Sequence, residues 1–473
     1  MSEDESSLEK ELTFSPKNIW EDVDDQDVES IMEFSDGYGE YITKSKTERE
    51  AVNHAIEILE KNGFKELTDY DKLEEGDKFY VENRNKSLAI GVMGKEDITE
   101  GCQMLASHID SPRLDLKARP LYEDKDALLS LLKTHYYGGI KKYQWVNTPL
   151  AIHGRIVKED GEAIDIEIGE KEDDPVFIVS DLLPHLSKKK QGERKMRDVI
   201  KGEELNVVIG SRPIDDEDIE SKLKVNILKI LNDKYGIKEE DVTSAEIEIV
   251  PAGPARDVGI DSSLIGGYGQ DDRICGYTTM MATINTEKPT KTSLTFLFDK
   301  EEIGSVGNTG ANSVFIESVI SKLLSRAKED YNLEDYRNAL ENSRAISGDV
   351  GPAVNPSFKG VHEMNNACKL GQGLVITKFT GAGGKYAAND AHAEYVAYVR
   401  RVLNENEIPW QTSELGKVDE GGGGTVAKFI SMLNIDVVDA GPALLGMHSP
   451  FEVISKADLY YTYKGYKAFL ESE

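Results

Sequence analysis

The spacing of apolar and polar positions differs between the middle of the chain and the two parts that flank it, which together are called the outer part here. In the outer part, apolar runs such as SLTFLF at 293–298 are rich in β-branched and aromatic residues, which predicts buried strands. Other segments have helical periodicity. At 47–63, Thr47 and Glu50 form a capping box and Gly63 marks the end of the helix. Alternation of the two patterns predicts an α/β fold, with a mixed sheet sandwiched by helices.

The middle part of the chain alternates apolar and polar positions instead. Runs such as LAIHGRIV, AIDIEI and AEIEIVPAG predict a mostly antiparallel β unit, interrupted by a basic run at 188–197. We therefore expect residues 1–118 and 259–473 to form one discontinuous domain, with residues 119–258 inserted as a β-rich domain. Residues 1–40 are acidic and weakly periodic, which predicts a solvated N-terminal arm.

Composition narrows the range of partners. The 473 residues include 56 Lys and Arg against 87 Asp and Glu, a formal charge of −31, which repels nucleic acids and anionic membrane surfaces. The widely spaced Cys102, Cys275 and Cys368 argue against a disulfide framework and a thiolate metal site. The acidic N-terminus does not resemble a signal peptide, and no apolar run approaches the roughly 20 residues of a membrane helix. These features predict a soluble, cytoplasmic protein.

Acids and histidines cluster where predicted strands end or helices begin. They are His108 and Asp110 in SHIDS, Asp271 and Asp272 in GQDDR, Glu301 and Glu302 in DKEEIG, Asp349 in SGDVG, and His448 in MHSP. In open α/β sheets the ligand crevice lies at the carboxyl ends of strands, so these distant residues can converge there. Two histidines with several carboxylates form a ligand set for zinc, manganese or cobalt.

The spacing within each motif suggests which residue binds metal and which one orients a ligand or acts as a base. In an extended chain, His108 and Asp110 point to the same side, so one can bind metal while the other orients it. Glu301 and Glu302 would point apart. One of them could then bind metal while its neighbour faces the substrate as a general base.

Other motifs that could mark functional sites are better explained by structural roles. DAHAEY at 390–395 begins an apolar-periodic helix, where acidic residues favour the N-terminus. GGGGTVAKF lacks the strand and Gly-x4-Gly-Lys-Ser/Thr pattern of a phosphate loop, and no Gly-x-Ser-x-Gly motif is present. His54 and His153 lie inside predicted elements, so we expect them to be structural.

The set of motifs resembles a known family. ASHIDSPRLDLK, GQDDR, FDKEEIGSVG, SGDVGPAVNP and GMHSPFE are similar, in the same order, to the motifs of the aspartyl aminopeptidase and aminopeptidase I family of dinuclear zinc exopeptidases. The resemblance runs from about residue 40 to the end of the chain. It implies a zinc exopeptidase-like fold and removal of single residues from the free N-terminus of peptides. It also implies two divalent metal ions per subunit, which would be zinc, with cobalt or manganese as alternatives.

The resemblance further implies a role for each residue. It makes His108 and Asp349 metal ligands, on separate metals or sharing a site, and Glu302 and His448 further terminal ligands, and Asp272 matches the bridging aspartate better than Asp271 does. Glu301 matches the general base, and Asp110 matches the carboxylate that orients His108.

The resemblance also implies an assembly. Family members form large homo-oligomers, typically tetrahedral dodecamers, in which the inserted domain builds dimer contacts and sends a histidine into a neighbour's site. His185, in LLPHLS, is the candidate for that histidine.

Two departures from the family pattern bear on substrate preference. Pro352 and Asn355 lie in the segment where aspartyl aminopeptidases commonly have histidines, and GGGGTV replaces a late turn of that branch. These departures favour the aminopeptidase I branch, acting on neutral or apolar N-terminal residues. The alternatives are an aspartyl aminopeptidase specific for acidic residues, another metal-dependent amidohydrolase on the same scaffold, or a non-catalytic assembly protein. The last should have lost a ligand or the base, and none is lost here.

Overall fold

The computed structural model describes Leu8 and residues 11–473. The helices of this part are α1 Asp25–Lys44, α2 Glu48–Lys61, α3 Pro184–Lys190, α4 Lys222–Tyr235, α5 Gln270–Ile284, α6 Phe315–Ala327, α7 Leu333–Glu341, α8 Ala393–Glu405, α9 Ala427–Ser431 and α10 Lys456–Leu470. The strands are β1 Lys65–Glu66, β2 Lys78–Asn83, β3 Ser87–Val92, β4 Cys102–His108, β5 Arg113–Asp124, β6 Leu129–Tyr137, β7 Leu150–Val157, β8 Ala163–Ile168, β9 Ile178–Val179, β10 Asn206–Gly210, β11 Ala245–Pro251, β12 Arg256–Val258, β13 Leu264–Gly267, β14 Thr292–Phe298, β15 Arg344–Ser347, β16 Gly351–Pro352, β17 Leu374–Thr377, β18 Trp410–Thr412, β19 Asp436–Gly441, β20 Ala443–Leu445 and β21 Glu452–Ser455.

A mixed sheet forms the centre of the outer part of the chain. Its strand order is β1-β2-β3-β14-β4-β15-β19-β17-β18. The four middle strands β14, β4, β15 and β19 are parallel, and β3 and β17 pair with them antiparallel on either side. The carboxyl ends of the four parallel strands therefore open at one edge, and the predicted α/β class is confirmed.

Helices cover both faces of this sheet because successive apolar side chains along its strands point to opposite faces. Phe296 and Phe298 of β14 point to one face, where they pack with Phe315 of α6. Leu297, between them, points to the opposite face and packs in a core that includes Met280 of α5. The period of two along the strand explains why one apolar run serves two helical layers.

The middle part of the chain forms a separate antiparallel sheet. Its strand order is β8-β7-β11-β5-β6-β10-β9, and every neighbouring pair of strands is antiparallel. This sheet has an apolar core of its own, to which helix α4 contributes side chains. β5 begins at Arg113, so it crosses the expected domain boundary at 118/119. A continuous strand shows no change of pattern at such a boundary, so the division into two domains stays a prediction.

His153 joins this second sheet to α2. Its two ring nitrogens lie 2.6 Å from Glu50 Oε1 of α2 and 3.1 Å from Glu170 Oε1. Burial alone would lower the pKa of His153, but the hydrogen bonds to Glu170 and Glu50 outweigh it and raise the pKa to about 9. This histidine therefore has a structural role, as the sequence analysis expected.

The N-terminal region differs from the expected solvated arm. Residues 1–7 and 9–10 lie outside the described residues, but Asp25–Lys44 forms a helix in which Ile31 and Tyr38 are fully buried. The acidic residues of this segment occupy the exposed face. These acidic residues lower the average hydrophobicity of the segment, so the sequence pattern did not reveal its narrow apolar face. Among the helices that the structure describes, none is long and apolar enough to cross a bilayer.

Candidate metal centre

The acids and histidines singled out in the sequence meet at the carboxyl edge of the parallel strands. His108 ends β4, Glu301 and Glu302 follow β14, and Asp349 follows β15. A third sheet, of order β12-β13-β21-β20-β16, carries His448 in the turn between β20 and β21. These side chains line a cavity of about 430 Å³. The expected convergence of strand ends is therefore present in the structure.

Asp271, at the start of α5, lies between the two histidines. Its Oδ1 is 3.3 Å from His108 Nε2, and its Oδ2 is 3.1 Å from His448 Nε2. Glu302 Oε1 lies 3.3 Å from the same nitrogen of His448. On the other side, the donor atoms of His108, Asp272 and Asp349 lie within 4.8 Å of one another. The centre thus consists of two adjoining donor groups, with one oxygen of Asp271 directed to the histidine of each group.

This geometry differs from the sequence expectation for the aspartate pair. The expected bridging residue was Asp272, but Asp271 is the one whose two oxygens reach both histidines. Asp272 is fully buried, and neither of its carboxylate oxygens has a hydrogen-bond partner. The two residues have different non-helical backbone angles at the start of α5, so their side chains diverge. Sequence spacing alone could not separate two adjacent aspartates.

Asp110 organises the backbone and one histidine of the centre. Its Oδ1 accepts the Glu301 N–H at 3.0 Å and lies 3.3 Å from His108 Nδ1, and its Oδ2 accepts the Glu302 N–H at 3.2 Å. Burial would raise the pKa of Asp110, but the hydrogen bond from His108 outweighs it and lowers the pKa. Asp110 therefore stays ionised and holds His108 with Nε2 facing the cavity.

Glu301 and Glu302 lie in a short 3₁₀ turn, Glu301–Ile303, and not in an extended chain. Lys300 begins this turn at a φ of 70°. As a result the two carboxylates do not point to opposite sides: Glu301 Oε2 lies 3.8 Å from His108 Nε2, and Glu302 lies beside His448. Both carboxylates can therefore act in the same cavity.

The electrostatics of the centre fit bound cations. Burial raises the pKa of Glu301 to about 7 and raises the pKa values of Glu302 and Asp349 as well. Glu302 Oε1 and both oxygens of Asp272 are buried without hydrogen bonds. Buried carboxylates without donors are stabilised by a cation. A donor set of imidazole nitrogens and carboxylate oxygens without sulfur suits zinc, cobalt or manganese.

Comparisons with known proteins agree with this chemistry. The family described as aminopeptidase I zinc metalloprotease (M18) matches residues 41–470. The chain belongs to this M18 family. A Clostridium acetobutylicum protein named probable M18 family aminopeptidase 1 is 50% identical over 460 residues, covering 96% of this chain and 98% of that protein.

Solved structures of M18 aminopeptidases share the fold. The crystal structure of an M18 aminopeptidase from Thermotoga maritima matches with a TM-score of 0.93 and 48% identity, covering 98% of this chain and 100% of that chain. The S. cerevisiae mApe1 dodecamer matches with a TM-score of 0.73 and 22% identity, covering 92% and 96%, and shows the fold alone. The protein is thus an M18 zinc metalloaminopeptidase, and the predicted family is confirmed.

His185 is not part of the centre within one chain of this M18 protein. It lies exposed in α3 of the inserted sheet region and does not line the cavity. Its expected role between subunits stays a prediction.

Glu452 is a residue whose role the sequence analysis missed. This buried carboxylate accepts the Asp271 N–H at 3.1 Å and the His448 N–H at 2.7 Å. It thereby fixes the backbone of two residues of the centre. Its place in the GMHSPFE motif was the only signal available.

Proposed function

We propose that this M18 protein removes single residues from the free N-terminus of peptides by means of two divalent metal ions, with zinc as the metal. The observation that carries the proposal is the position of Asp271, with one carboxylate oxygen directed to His108 and the other to His448. A carboxylate shared in this way suits two adjoining cations. His108 and Asp349 would hold one ion, Glu302 and His448 the other, and Asp271 both.

Two metal ions bound here would lower the pKa of a water molecule and offset the negative charge that develops on the substrate carbonyl oxygen. The protein's own contribution is to hold the ligands in place. Asp110 orients His108 through Nδ1 and fixes the backbone N–H groups of Glu301 and Glu302.

Glu301 is the proposed general base. It lines the cavity beside His108, and burial raises its pKa, which brings proton exchange on this carboxylate closer to neutral pH. A carboxylate oxygen of Glu301 accepts a proton from the attacking water as the new carbon–oxygen bond forms. The same proton then passes to the leaving amide nitrogen as the carbon–nitrogen bond breaks, and the freed peptide leaves as an amine.

Neutral or apolar N-terminal residues are the proposed substrates. Beyond the metal centre, the cavity wall includes Pro352, Leu415, Phe429 and Met447. Glu414 and Asp439 add negative charge to the same wall, and like charge opposes an acidic substrate side chain. The second candidate, a preference for acidic residues, is favoured by one observation: Lys428 also lines the cavity.

A panel of aminoacyl-anilides separates these possibilities. We expect Leu and Met derivatives to be cleaved at least about ten times faster than Asp and Glu derivatives, since rejection of a like charge costs more than about 1.4 kcal/mol. N-acetylated controls should not be cleaved. Faster cleavage of Asp derivatives, abolished in Lys428→Gln, would contradict the neutral preference, and cleavage of acetylated substrates would contradict the aminopeptidase.

The proposed assembly is a homododecamer with tetrahedral symmetry. The structure of the S. cerevisiae mApe1 dodecamer has the same fold. In the inserted part of this chain, Leu182, Leu183, Leu186 and Met196 are exposed in one stretch, as apolar residues of an interface would be in a single chain. We place His185, in the same stretch, at a neighbour's centre. A sedimentation mass of one chain would contradict the assembly.

A further inference from the structure

A short segment, residues 137–139 at the end of β6 and just beyond it, contacts Asp110 on one side of the metal centre and His448 on the other. We propose that this 137–139 segment is a positioning element for the reaction, orienting Asp110 on one side of the centre and His448 on the other. The inference rests on the proposed function, which assigns these two residues to the centre.

The first contact is made by the Tyr137 side chain. Its hydroxyl donates a hydrogen bond of 2.8 Å to Asp110 Oδ2. Asp110 already accepts the N–H groups of Glu301 and Glu302 and lies beside His108 Nδ1. Tyr137 is therefore the donor that completes the hydrogen bonding of a buried carboxylate, and a buried acceptor that loses a donor shifts or becomes less favourable.

Arg113 holds the Tyr137 ring in this position. Its guanidinium carbon lies 3.9 Å from the ring centroid, and the register of the β5–β6 pair places the two residues opposite each other. Arg113 is itself buried, with Nε at 2.8 Å from Asp115 and 3.2 Å from Glu248. The ring thus has little freedom to turn its hydroxyl away from Asp110.

The second contact is made by the backbone of Gly139. Its carbonyl oxygen lies 2.8 Å from His448 Nδ1 and accepts the ring N–H there. A proton fixed on Nδ1 leaves the Nε2 lone pair facing Asp271 and Glu302. The ring orientation of His448 is therefore set by the Gly139 carbonyl, two residues beyond the end of β6.

Gly138 explains how the segment approaches so closely. A Cβ atom at this position would lie 3.3 Å from Glu302 Cβ and 3.4 Å from Pro112 Cβ, at a φ of 73°. A larger residue would press on Glu302 from outside the cavity. Three consecutive residues of one segment thus lie against Asp110, Glu302 and His448, and the first of them belongs to β6 of the inserted sheet.

The Tyr137→Phe variant tests the side-chain contact, with Tyr136→Phe as its matched control. Tyr136 is the preceding residue and is 39% exposed. In Tyr137→Phe we expect kcat to fall about tenfold and zinc affinity, measured by competition with a chelator, to weaken by about tenfold, since partners that orient metal ligands have effects of this size. KM should stay near the wild-type value, and the melting temperature should fall by no more than the loss of one buried hydrogen bond explains, while Tyr136→Phe should match the wild type in every property.

The outcomes separate this inference from the proposed function. If the wild-type protein binds zinc and cleaves free N-termini while Tyr137→Phe equals Tyr136→Phe in kcat and zinc affinity, the positioning role is overturned and the proposed function stands. If the wild-type protein binds no zinc and cleaves nothing, both are overturned.

Gly138→Ala, with Gly161→Ala as its matched control, tests the close approach of the segment to Glu302. Both glycines have positive φ, 73° and 87°, so an alanine costs similar backbone strain at each, but open space surrounds Gly161. Only Gly138→Ala should weaken zinc affinity, by about tenfold or more. Equal zinc affinity in the two variants would overturn the positioning role of the segment.

Discussion

The Glu301→Gln variant is expected to lose about 10²- to 10⁴-fold in kcat, because a glutamine side chain cannot accept the proton of the attacking water. The amide keeps the size of the carboxylate, and Glu301 is not one of the proposed terminal ligands. KM and zinc content should therefore change little, which is the pattern for a group that acts in the transition state. Steady-state kinetics on a Leu-anilide, together with metal analysis of the same sample, measure both effects.

The pH dependence of the hydrolysis rate is a second test of the role of Glu301. The base must be ionised to act, so the wild-type rate should fall as the pH drops through the pKa of Glu301. Burial raises this pKa to about 7, and bound cations would lower it again, so the acid limb should lie at or below about pH 7. Glu341→Gln, at an exposed helix end, is the matched control and should keep the wild-type kcat. A Glu301→Gln variant with wild-type kcat would contradict the assignment of the base.

The Asp271→Asn variant should lose more than about 100-fold in metal affinity, and activity with it, while Asp272→Asn should stay within about tenfold of the wild type. Asp271 has one oxygen directed to each histidine, so replacing an oxygen with an amide nitrogen removes a donor and the negative charge. Asp272 belongs to one donor group only, with His108 and Asp349, so an amide there removes a donor from one ion site and leaves the shared carboxylate of Asp271 in place.

Zinc binding by chelator competition, with melting temperatures to confirm folding, distinguishes the two aspartates. Each variant is the control for the other, because they are adjacent, buried and changed in the same way. Loss of zinc in Asp272→Asn alone would restore the bridging role to Asp272 and contradict the geometric assignment.

The location of the site was predictable from the sequence because it depends on topology. A buried run such as β14 ends at Phe298, and the polar residues that follow it must leave the sheet at its carboxyl edge. His108 after β4 and Asp349 after β15 obey the same rule, and these strands are adjacent and parallel. No atomic detail is needed for that inference.

The roles of adjacent residues were not predictable, since they depend on single backbone angles. Asp271 and Asp272 differ in ψ, 101° against 34°, and this difference decides which carboxylate lies between the histidines. The positive φ of Lys300 likewise turns Glu301 and Glu302 into one cavity. Sequence patterns carry the period of a chain and do not carry its local dihedral angles.

Tyr137 could not be found from the sequence for a different reason. Its contact with Asp110 depends on the register that places Tyr137 opposite Arg113, and this register follows a bulge between β5 and β6. In the sequence, Tyr137 is one aromatic residue in an alternating strand. Only the folded pairing shows that the strand reaches the metal centre.

Titration of the metal-free protein with zinc tests the central claim of two metal ions per chain. The chain is stripped with a chelator, and bound zinc and Leu-anilide hydrolysis are followed together as zinc is added. The arrangement of His108, His448 and Asp271 predicts that two equivalents bind per chain and that full activity requires the second. Full activity at one equivalent, or in the stripped protein, would contradict it.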